Sequence, residues 1–117
     1  MIFKLLCIAL LCVACTTNWT KEDTIRHTAY TALWAVDWAQ TDRIADQPKR
    51  YKELNPILGN HPTDSEVARW FIGSYAAYTG IAFLLPSPYR EWWHYSGITV
   101  EAVCVGNNYT IGLGFGF

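Results

Sequence analysis

Apolar residues recur along most of this chain at the spacing of helix faces, and the first such segment follows Thr20. Thr20 and Asp23 have the three-residue spacing of a capping box, which predicts the start of a helix. Pro48 disfavours helix in the residue before it, so this helix is expected to end near Gln47. One apolar stripe consists of Ile25, Ala29, Ala32, Val36 and Ala39, and a second of Tyr30, Leu33, Trp34 and Trp38. A helix that is apolar over most of its circumference is buried in protein or lipid.

A second helix is predicted after a polar connection. It begins at Thr63, which has Glu66 three residues later in a second capping box, and it stops at Pro86. Small residues recur about one turn apart along it, namely Gly73, Ala76, Ala77 and Gly80. A stripe of small side chains lets another helix approach closely, so this face is expected to lie against a neighbour.

The third predicted helix starts at Ser87-Pro88, with Pro88 at the first helical position, and ends near Gly106. Because the turn before it is short, helices two and three are expected to form an antiparallel hairpin. The stretch from Tyr109 to Phe117 then alternates apolar residues with Thr or Gly, which is strand periodicity. One strand cannot close a barrel, so we interpret it as a short extended tail. The sequence thus predicts an all-α fold, a three-helix bundle with an extended C-terminal tail.

The N-terminal segment has a different character from the rest. Met1 to Ala14 is apolar apart from Lys4, and it is shorter than the roughly 20 apolar residues that span a bilayer. A charged start, a short apolar middle and small residues near the end are typical of a secretory signal. We therefore divide the chain into a signal peptide, residues 1–14, and one helical domain, residues 15–117.

The end of that signal resembles a bacterial lipobox, in the order Leu11-Cys12-Val13-Ala14-Cys15. The resemblance implies cleavage before Cys15, a diacylglycerol on its sulfur and an acylated N-terminus. A residue other than Asp after the cysteine, here Thr16, implies sorting to the outer membrane. The alternatives are an ordinary signal peptide or an uncleaved anchor.

Composition then narrows the expected chemistry. Nine basic and ten acidic residues leave a net charge of −1, so the chain has no basic excess to hold a nucleic acid. Of the four cysteines, Cys7 and Cys12 leave with the signal and Cys15 is acylated, so no intrachain disulfide is expected. The remaining Cys104 is expected to be a small buried side chain.

Whether the helices cross a membrane is left open by the sequence. A charge at the centre of a membrane helix costs about 2.5–3.5 kcal/mol, and helices one and three carry Asp37 and Glu101. Basic residues cluster between helices one and two, which favours a topology with that connection in the cytoplasm. If the helices span a bilayer, the chain is expected in the inner membrane. If they do not, the lipid is expected to hold a helical bundle on a membrane surface.

The polar residues within the apolar helices are the candidate site. Antiparallel packing is expected to gather Asp37, Thr41, Arg69 and Glu101 at one depth. Such a cluster is interpreted first as a charge network that stabilises the bundle, because unpaired buried ions are costly. The second interpretation is a proton or cation site, since two carboxyls sharing one arginine can raise the pKa of one of them.

A wider pattern carries a resemblance to a family. Asp37 and Thr41 are followed by a loop with the order Glu53-x-Asn55-Pro56-x-Leu58-Gly59 and, after helix three, by Asn107-Asn108. This pattern resembles small proteobacterial and bacteriophage-encoded lipoproteins or membrane proteins of uncharacterised function. The resemblance implies no activity and a fold-defining role for Asp37, Thr41, Glu53, Asn55 and Pro56. In the loop, Asn55-Pro56 fits a capped single turn that Gly59 ends.

No constellation for catalysis or cofactor binding is evident in the sequence. The three histidines, His27, His61 and His94, lie far apart and lack partners at ligand spacing, so no metal site is expected. His94, beside two tryptophans, is interpreted as an interfacial histidine.

We expect a non-enzymatic envelope lipoprotein that needs no cofactor, is held by lipid on Cys15 and binds another envelope protein, with exclusion of competing phage as one role. The alternatives are a small integral protein with three transmembrane helices that aids lysis or transport, and an intramembrane proton or cation site or enzyme using Asp37 and Glu101.

Overall fold

The computed structural model describes residues 2, 4–5, 18–47, 49, 57–59 and 61–113, and within them the fold is a bundle of three helices. Helix α1 spans Lys21–Asp46, α2 spans Asp64–Leu84 and α3 spans Tyr89–Asn108. The predicted all-α three-helix bundle is therefore confirmed.

The helix ends lie where local chemistry placed them. The Thr20 side chain accepts from the backbone N–H of Asp23, and the Asp23 side chain accepts from the N–H of Thr20, so the predicted capping box begins α1. The Thr63 hydroxyl accepts from the backbone of Glu66 and begins α2. Pro88 was expected to be the first helical residue of α3. It is instead the N-cap, and the helix starts at Tyr89.

The three helices alternate in direction. Side chains of α1 between His27 and Trp38 meet α2 between Thr79 and Phe71, so these two helices run antiparallel. The hydroxyl of Tyr78 on α2 bonds to the backbone of Trp93 and His94 on α3, which makes α2 and α3 the expected antiparallel hairpin. Helices α1 and α3 are therefore parallel, and α3 packs mainly against α1.

The interior of the bundle is unusually polar for its size. The buried apolar side chains are Tyr30, Ile44, Val67, Phe71, Tyr78, Ala82, Val105 and Leu113. Nearly as many buried residues are polar or charged, namely Asp23, Asp37, Gln40, Thr41, Arg90, His94 and Asn108. Buried polar groups of this kind are retained only where they satisfy one another, so their contacts determine what this fold can do.

The close approach between helices occurs at a glycine that the sequence pattern did not single out. An added Cβ at Gly73 or Gly80 would meet nothing of the described chain within 4 Å, so the expected small-residue seam on α2 is wrong. At Gly97 of α3 a Cβ would overlap the ring of Tyr78. Gly97 is therefore the position where a side chain would push α2 away from α3.

The C-terminal end of the bundle also differs from expectation. Tyr109–Leu113 continues α3 as a π-helical turn rather than as an extended strand, and Gly112 adopts a φ of 99°. Leu113 packs on Ile44 at the end of α1, and this burial holds the turn against the bundle. The prediction of an extended tail is wrong for these five residues, while residues 114–117 lie outside the described part of the chain.

A helix must be both long and apolar to cross a bilayer. Over the part of the chain that the structure covers, no helix combines the length and the apolar character that a bilayer span requires.

Candidate functional site

Two clusters of buried and half-buried polar side chains lie towards opposite ends of the bundle. The first, which we call the carboxyl cluster, consists of Asp37, Gln40, Thr41, Glu101 and Asn108. The second, which we call the histidine cluster, consists of Asp23, His27, Arg90 and His94.

The carboxyl cluster is organised around Asp37, whose carboxyl faces α3. The Thr41 hydroxyl, one turn later on α1, donates to Asp37 Oδ1 at 3.3 Å. The Asn108 amide donates to the same oxygen at 3.0 Å and to Gln40 Oε1 at 3.1 Å. Four polar side chains from two helices thus satisfy each other in the interior.

Glu101 completes the cluster as a second carboxyl group. Burial raises the pKa of Glu101, and a hydrogen bond with Asp37 together with the charge on Asp37 raises it further, to about 8. At neutral pH Glu101 therefore keeps its proton and donates it in the bond to Asp37. The structure brings Asp37, Thr41 and Glu101 together, and the pair carries one negative charge rather than two.

Arg69 does not join this cluster, contrary to the sequence prediction. Its side chain is exposed, and its Nε donates to the carbonyl of Ser65 in its own helix at 3.3 Å. Val67 and Phe71 are the buried residues of this part of α2. A residue two positions from each is rotated by about 200° around the helix, which turns Arg69 towards solvent. Asn108, Gln40 and Thr41 supply the polar contacts that the arginine was expected to supply.

The histidine cluster begins with Asp23, which completes the capping box of α1 with Thr20. Its Oδ1 lies 3.0 Å from Arg26, and its Oδ2 lies 3.0 Å from the guanidinium of Arg90. Burial raises the pKa of Asp23, but hydrogen bonds from the Thr20 backbone and the two arginines outweigh it and lower the pKa to about 2. Asp23 is therefore a buried carboxylate that stays ionised.

Arg90 connects three parts of the chain at this end of the bundle. It is 1% exposed, and its Nε donates to the carbonyl of Ala82 on α2 at 2.7 Å. One terminal nitrogen donates to the carbonyl of Asn18 at 2.6 Å and to Asp23. The start of α3 is thereby tied to the end of α2 and to the segment that leads into α1.

The two histidines meet between α1 and α3. His27 Nδ1 and His94 Nε2 lie 3.3 Å apart, and His27 Nε2 lies 3.1 Å from the Thr79 hydroxyl. Burial lowers the pKa of both rings, and the proximity of His27 contributes to a pKa of about 4 for His94. At neutral pH both rings are uncharged, and His94, which is fully buried, is not the interfacial histidine that the sequence suggested.

Trp19 covers the histidines at the end of the bundle. Its ring stacks on Phe83 at 4.3 Å and meets His27 and His94 edge-on. The guanidinium of Arg90 lies 5.2 Å from the Trp19 ring, within the range of a cation–π contact. The residue directly after Asn18 is thus packed into the bundle.

A cavity of about 220 Å³ lies beside Tyr30 and Tyr78, between the two clusters. It is lined by Tyr30, Tyr78, Trp93, Ser96, Gly97, Val100 and Glu101. Its volume is below the range of about 300–1,000 Å³ that is typical of small-molecule sites. Among the residues that the structure describes, no three His, Cys, Asp or Glu side chains are grouped to hold a metal ion.

The histidine cluster was missed by sequence reasoning, although a signal was present. Asp23 and His27 are four residues apart on α1, and Arg90 and His94 are four residues apart on α3. A pair at this spacing lies on one face of a helix, so each pair forms a polar patch next to aromatic residues. Only the parallel arrangement of α1 and α3, which the local pattern does not encode, brings the two patches together.

Three predicted features remain: the lipidated cysteine, the loop motif and Cys104. Cys15, together with Glu53, Asn55 and Pro56 of the loop motif, lies outside the described residues. Gly59 is described and has a φ of 79°, a left-handed conformation that glycine adopts readily and that suits the end of a turn. Cys104 is half-buried in α3.

Comparison with known proteins returned no relatives. No protein-family model, no curated protein and no solved structure matches this chain.

Proposed function

We propose that this chain is an envelope lipoprotein whose helical domain is held on a membrane surface through acylated Cys15 and acts there by binding another envelope protein. The proposal rests on the lipobox-like residues before Cys15 together with one feature of the fold. The chain enters the bundle at Asn18, where buried Arg90 binds its carbonyl at 2.6 Å.

The short distance between the anchor and the bundle supports this proposal. Only Thr16 and Thr17 separate Cys15 from Asn18, and three residue steps reach at most about 11 Å. A lipid on Cys15 would hold the end of the bundle next to the bilayer rather than on a long tether. Protein binding is supported by apolar side chains that α3 leaves exposed one turn apart, Val100 at 59% and Val103 at 66%.

Fractionation of cysteine variants tests the anchor. Cys15→Ser is expected to move the protein from the membrane fraction to the soluble fraction, while Cys12→Ser, a matched change within the same motif, is expected to leave it on the membrane. Cys15→Ser protein that still resists carbonate extraction would favour the alternative with membrane-spanning helices. A soluble Cys12→Ser variant would remove Cys15 as the specific attachment residue.

Phage adsorption tests the proposed interaction. Cells that produce the protein are compared with cells that produce the Cys15→Ser variant, across phages that use different outer-membrane receptors. Reduced adsorption of phages that share one receptor would support masking of that receptor and would identify the partner. Unchanged adsorption for every receptor would remove phage exclusion as the role of the binding.

A second candidate, a proton or cation site, is supported by the hydrogen-bonded pair of Asp37 and Glu101. A proton held between two carboxyls can be exchanged if the site opens to solvent. The Asp37→Asn, Glu101→Gln double variant keeps similar shapes and removes both acids. Retention of whatever activity the wild-type chain shows in cells would exclude this candidate.

A further inference from the structure

The end of the bundle next to Asn18 carries exposed aromatic side chains. Helix α1 begins there, α2 ends there and α3 begins there, and the stack of Trp19 on Phe83 together with the Arg90 bonds fixes the three. Phe83 is 45% exposed, Tyr89 55% and Trp92 61%. We call these three residues the aromatic rim.

The rim is apolar over a continuous stretch of chain. Tyr89 and Trp92 contact each other edge-on at 5.6 Å, and the exposed residues of the turn between α2 and α3 are Pro86, Ser87 and Pro88. From Phe83 to Trp92 the charged residues are Arg90, which is buried, and Glu91, which is half-buried. Contiguous exposed apolar surface marks sites of contact with another protein or with a membrane.

At the end of the bundle next to Asn18 the exposed charged side chains are Lys21 and Glu22 at the start of α1, and the opposite end carries more exposed charge. Its exposed side chains include Asp46, Lys49, Asp64, Glu66 and Arg69. Tyr109 and Ile111 are exposed there as well. The two ends of the molecule are therefore suited to different surroundings.

We propose that the aromatic rim inserts into the headgroup region of the bilayer and holds the bundle upright on the membrane. The lipid surface is the occupant because the proposed lipid on Cys15 lies within three residues of Asn18, where the chain enters the bundle beside the rim. Tyr and Trp favour the membrane interface, and an amphipathic surface there sinks about 5–10 Å into the headgroup boundary.

This orientation rests on the proposed function, because the lipid on Cys15 is its anchor. It also predicts which surfaces of the bundle face away from the membrane. Helix α2 has 21 residues and a length of roughly 30 Å, so the charged end would stand that far above the membrane. The partner protein would then be met by the charged end and the sides of the bundle, whereas the rim would be occupied by lipid.

Site-specific fluorescence tests the orientation on the full-length lipidated protein. In a Cys104→Ala background, an environment-sensitive dye is attached to Ser87→Cys at the rim, to Ser65→Cys at the charged end, or to Tyr109→Cys. All three positions are exposed. The protein is reconstituted on vesicles of phosphatidylethanolamine and phosphatidylglycerol, with and without a brominated acyl chain as quencher.

The dye at residue 87 is expected to brighten about threefold and to be quenched by the brominated lipid, because it reaches the headgroup boundary. The dyes at residues 65 and 109 are expected to stay unchanged. Adding Tyr89→Ser and Trp92→Ser to the residue-87 reporter is expected to remove most of the response while the protein stays on the vesicles. Circular dichroism confirms that this variant keeps its helices.

The possible results separate the rim from the anchor. Vesicle-bound protein whose residue-87 dye does not respond, or whose three dyes respond equally, would overturn the rim and leave the anchor intact. A response at residue 87 in protein whose Cys15 carries no fatty acid would support the rim and overturn the lipidation. Failure of the protein to associate with vesicles at all would overturn both.

Discussion

Each of the two polar clusters contains a carboxyl group of α1, and the groups that surround these two carboxyls differ in charge. Asp23 and Asp37 are both nearly inaccessible to solvent on α1, 14 residues apart. Asp23 lies between two arginines, and its pKa falls to about 2. At Asp37 the neighbours are amide and hydroxyl groups and a second acid, and the pKa of that second acid, Glu101, rises to about 8. The position of the arginines therefore decides whether a buried acid in this bundle is ionised or shares a proton.

The comparison also separates two structural roles. The histidine cluster ties the segment after the proposed anchor to α2 and α3 through charged bonds. The carboxyl cluster holds α1 against α3 with a proton that is lost at high pH. We therefore expect the carboxyl cluster to lower stability as the pH rises and the histidine cluster to lower it as the pH falls, with the Arg90 bonds stabilising the fold between these limits.

Removal of Arg90 is expected to have the largest effect. Arg90→Met leaves Asp23 as a buried carboxylate without its cross-helix partner, and breaking a buried ion pair in this way costs about 3–5 kcal/mol. The free energy of unfolding of the mature domain is measured by urea denaturation at pH 7. Arg69→Met, on an exposed arginine, is the control and is expected to change stability by less than about 0.5 kcal/mol. Equal losses in the two variants would contradict the assignment of the histidine cluster.

The close contact between α2 and α3 is tested at Gly97. Gly97→Ala places a methyl group against the Tyr78 ring, and overpacking of this kind costs about 1–3 kcal/mol. Gly73→Ala, within α2 and open to solvent, is expected to stabilise by about 0.5–1 kcal/mol. If both variants are stabilised, α2 and α3 are not in close contact at Tyr78.

The carboxyl cluster is tested by the pH dependence of stability. The pKa of Glu101 is raised in the folded state, so its contribution is complete below pH 4.5 and is lost as the pH rises through 8. We expect the unfolding free energy to fall by on the order of 1–2 kcal/mol across this interval and Glu101→Gln to remove that fall. Glu22→Gln, on an exposed acid, serves as control and is expected to retain the fall. If the unfolding free energy of Glu101→Gln falls with pH as much as that of the wild type, Glu101 does not share a proton with Asp37.

The histidines are expected to give a smaller effect of opposite sign. The pKa of His94 is lowered to about 4 in the folded state, so stability is lost as the pH falls from 6.5 towards 4. His94→Gln is expected to reduce the loss in acid by about 1 kcal/mol, and His61→Gln, on an exposed histidine, is expected to leave it. An unchanged acid profile in His94→Gln would show that the ring is not buried in its neutral form.

Sequence reasoning found the local features of this fold and missed the features that depend on assembly. The capping residues Thr20 and Thr63 are local signals, and both act as expected. Arg69 was misplaced because the depth of a residue along a helix says nothing about the direction of its side chain. The apolar residues Val67 and Phe71 mark the buried face of α2, and Arg69 does not lie on it. His27 and His94 are 67 residues apart, and only the packing of parallel helices brings them together.

The tail illustrates a different limit. The alternation from Tyr109 onwards is typical of a strand, yet Tyr109–Leu113 is helical. Leu113 is buried on Ile44 in this arrangement, and the tertiary contact overrides the local pattern. Short apolar runs give this ambiguity because a period of two over five residues is weak information.

Mass spectrometry of the purified full-length protein from an envelope fraction tests the central claim, that lipid on Cys15 holds this bundle on a membrane. The account predicts an N-terminal peptide that begins at Cys15 and carries the mass of a diacylglycerol and of an amide-linked acyl chain. A peptide with an unmodified Cys15, or one that continues back into Met1–Ala14, would contradict it.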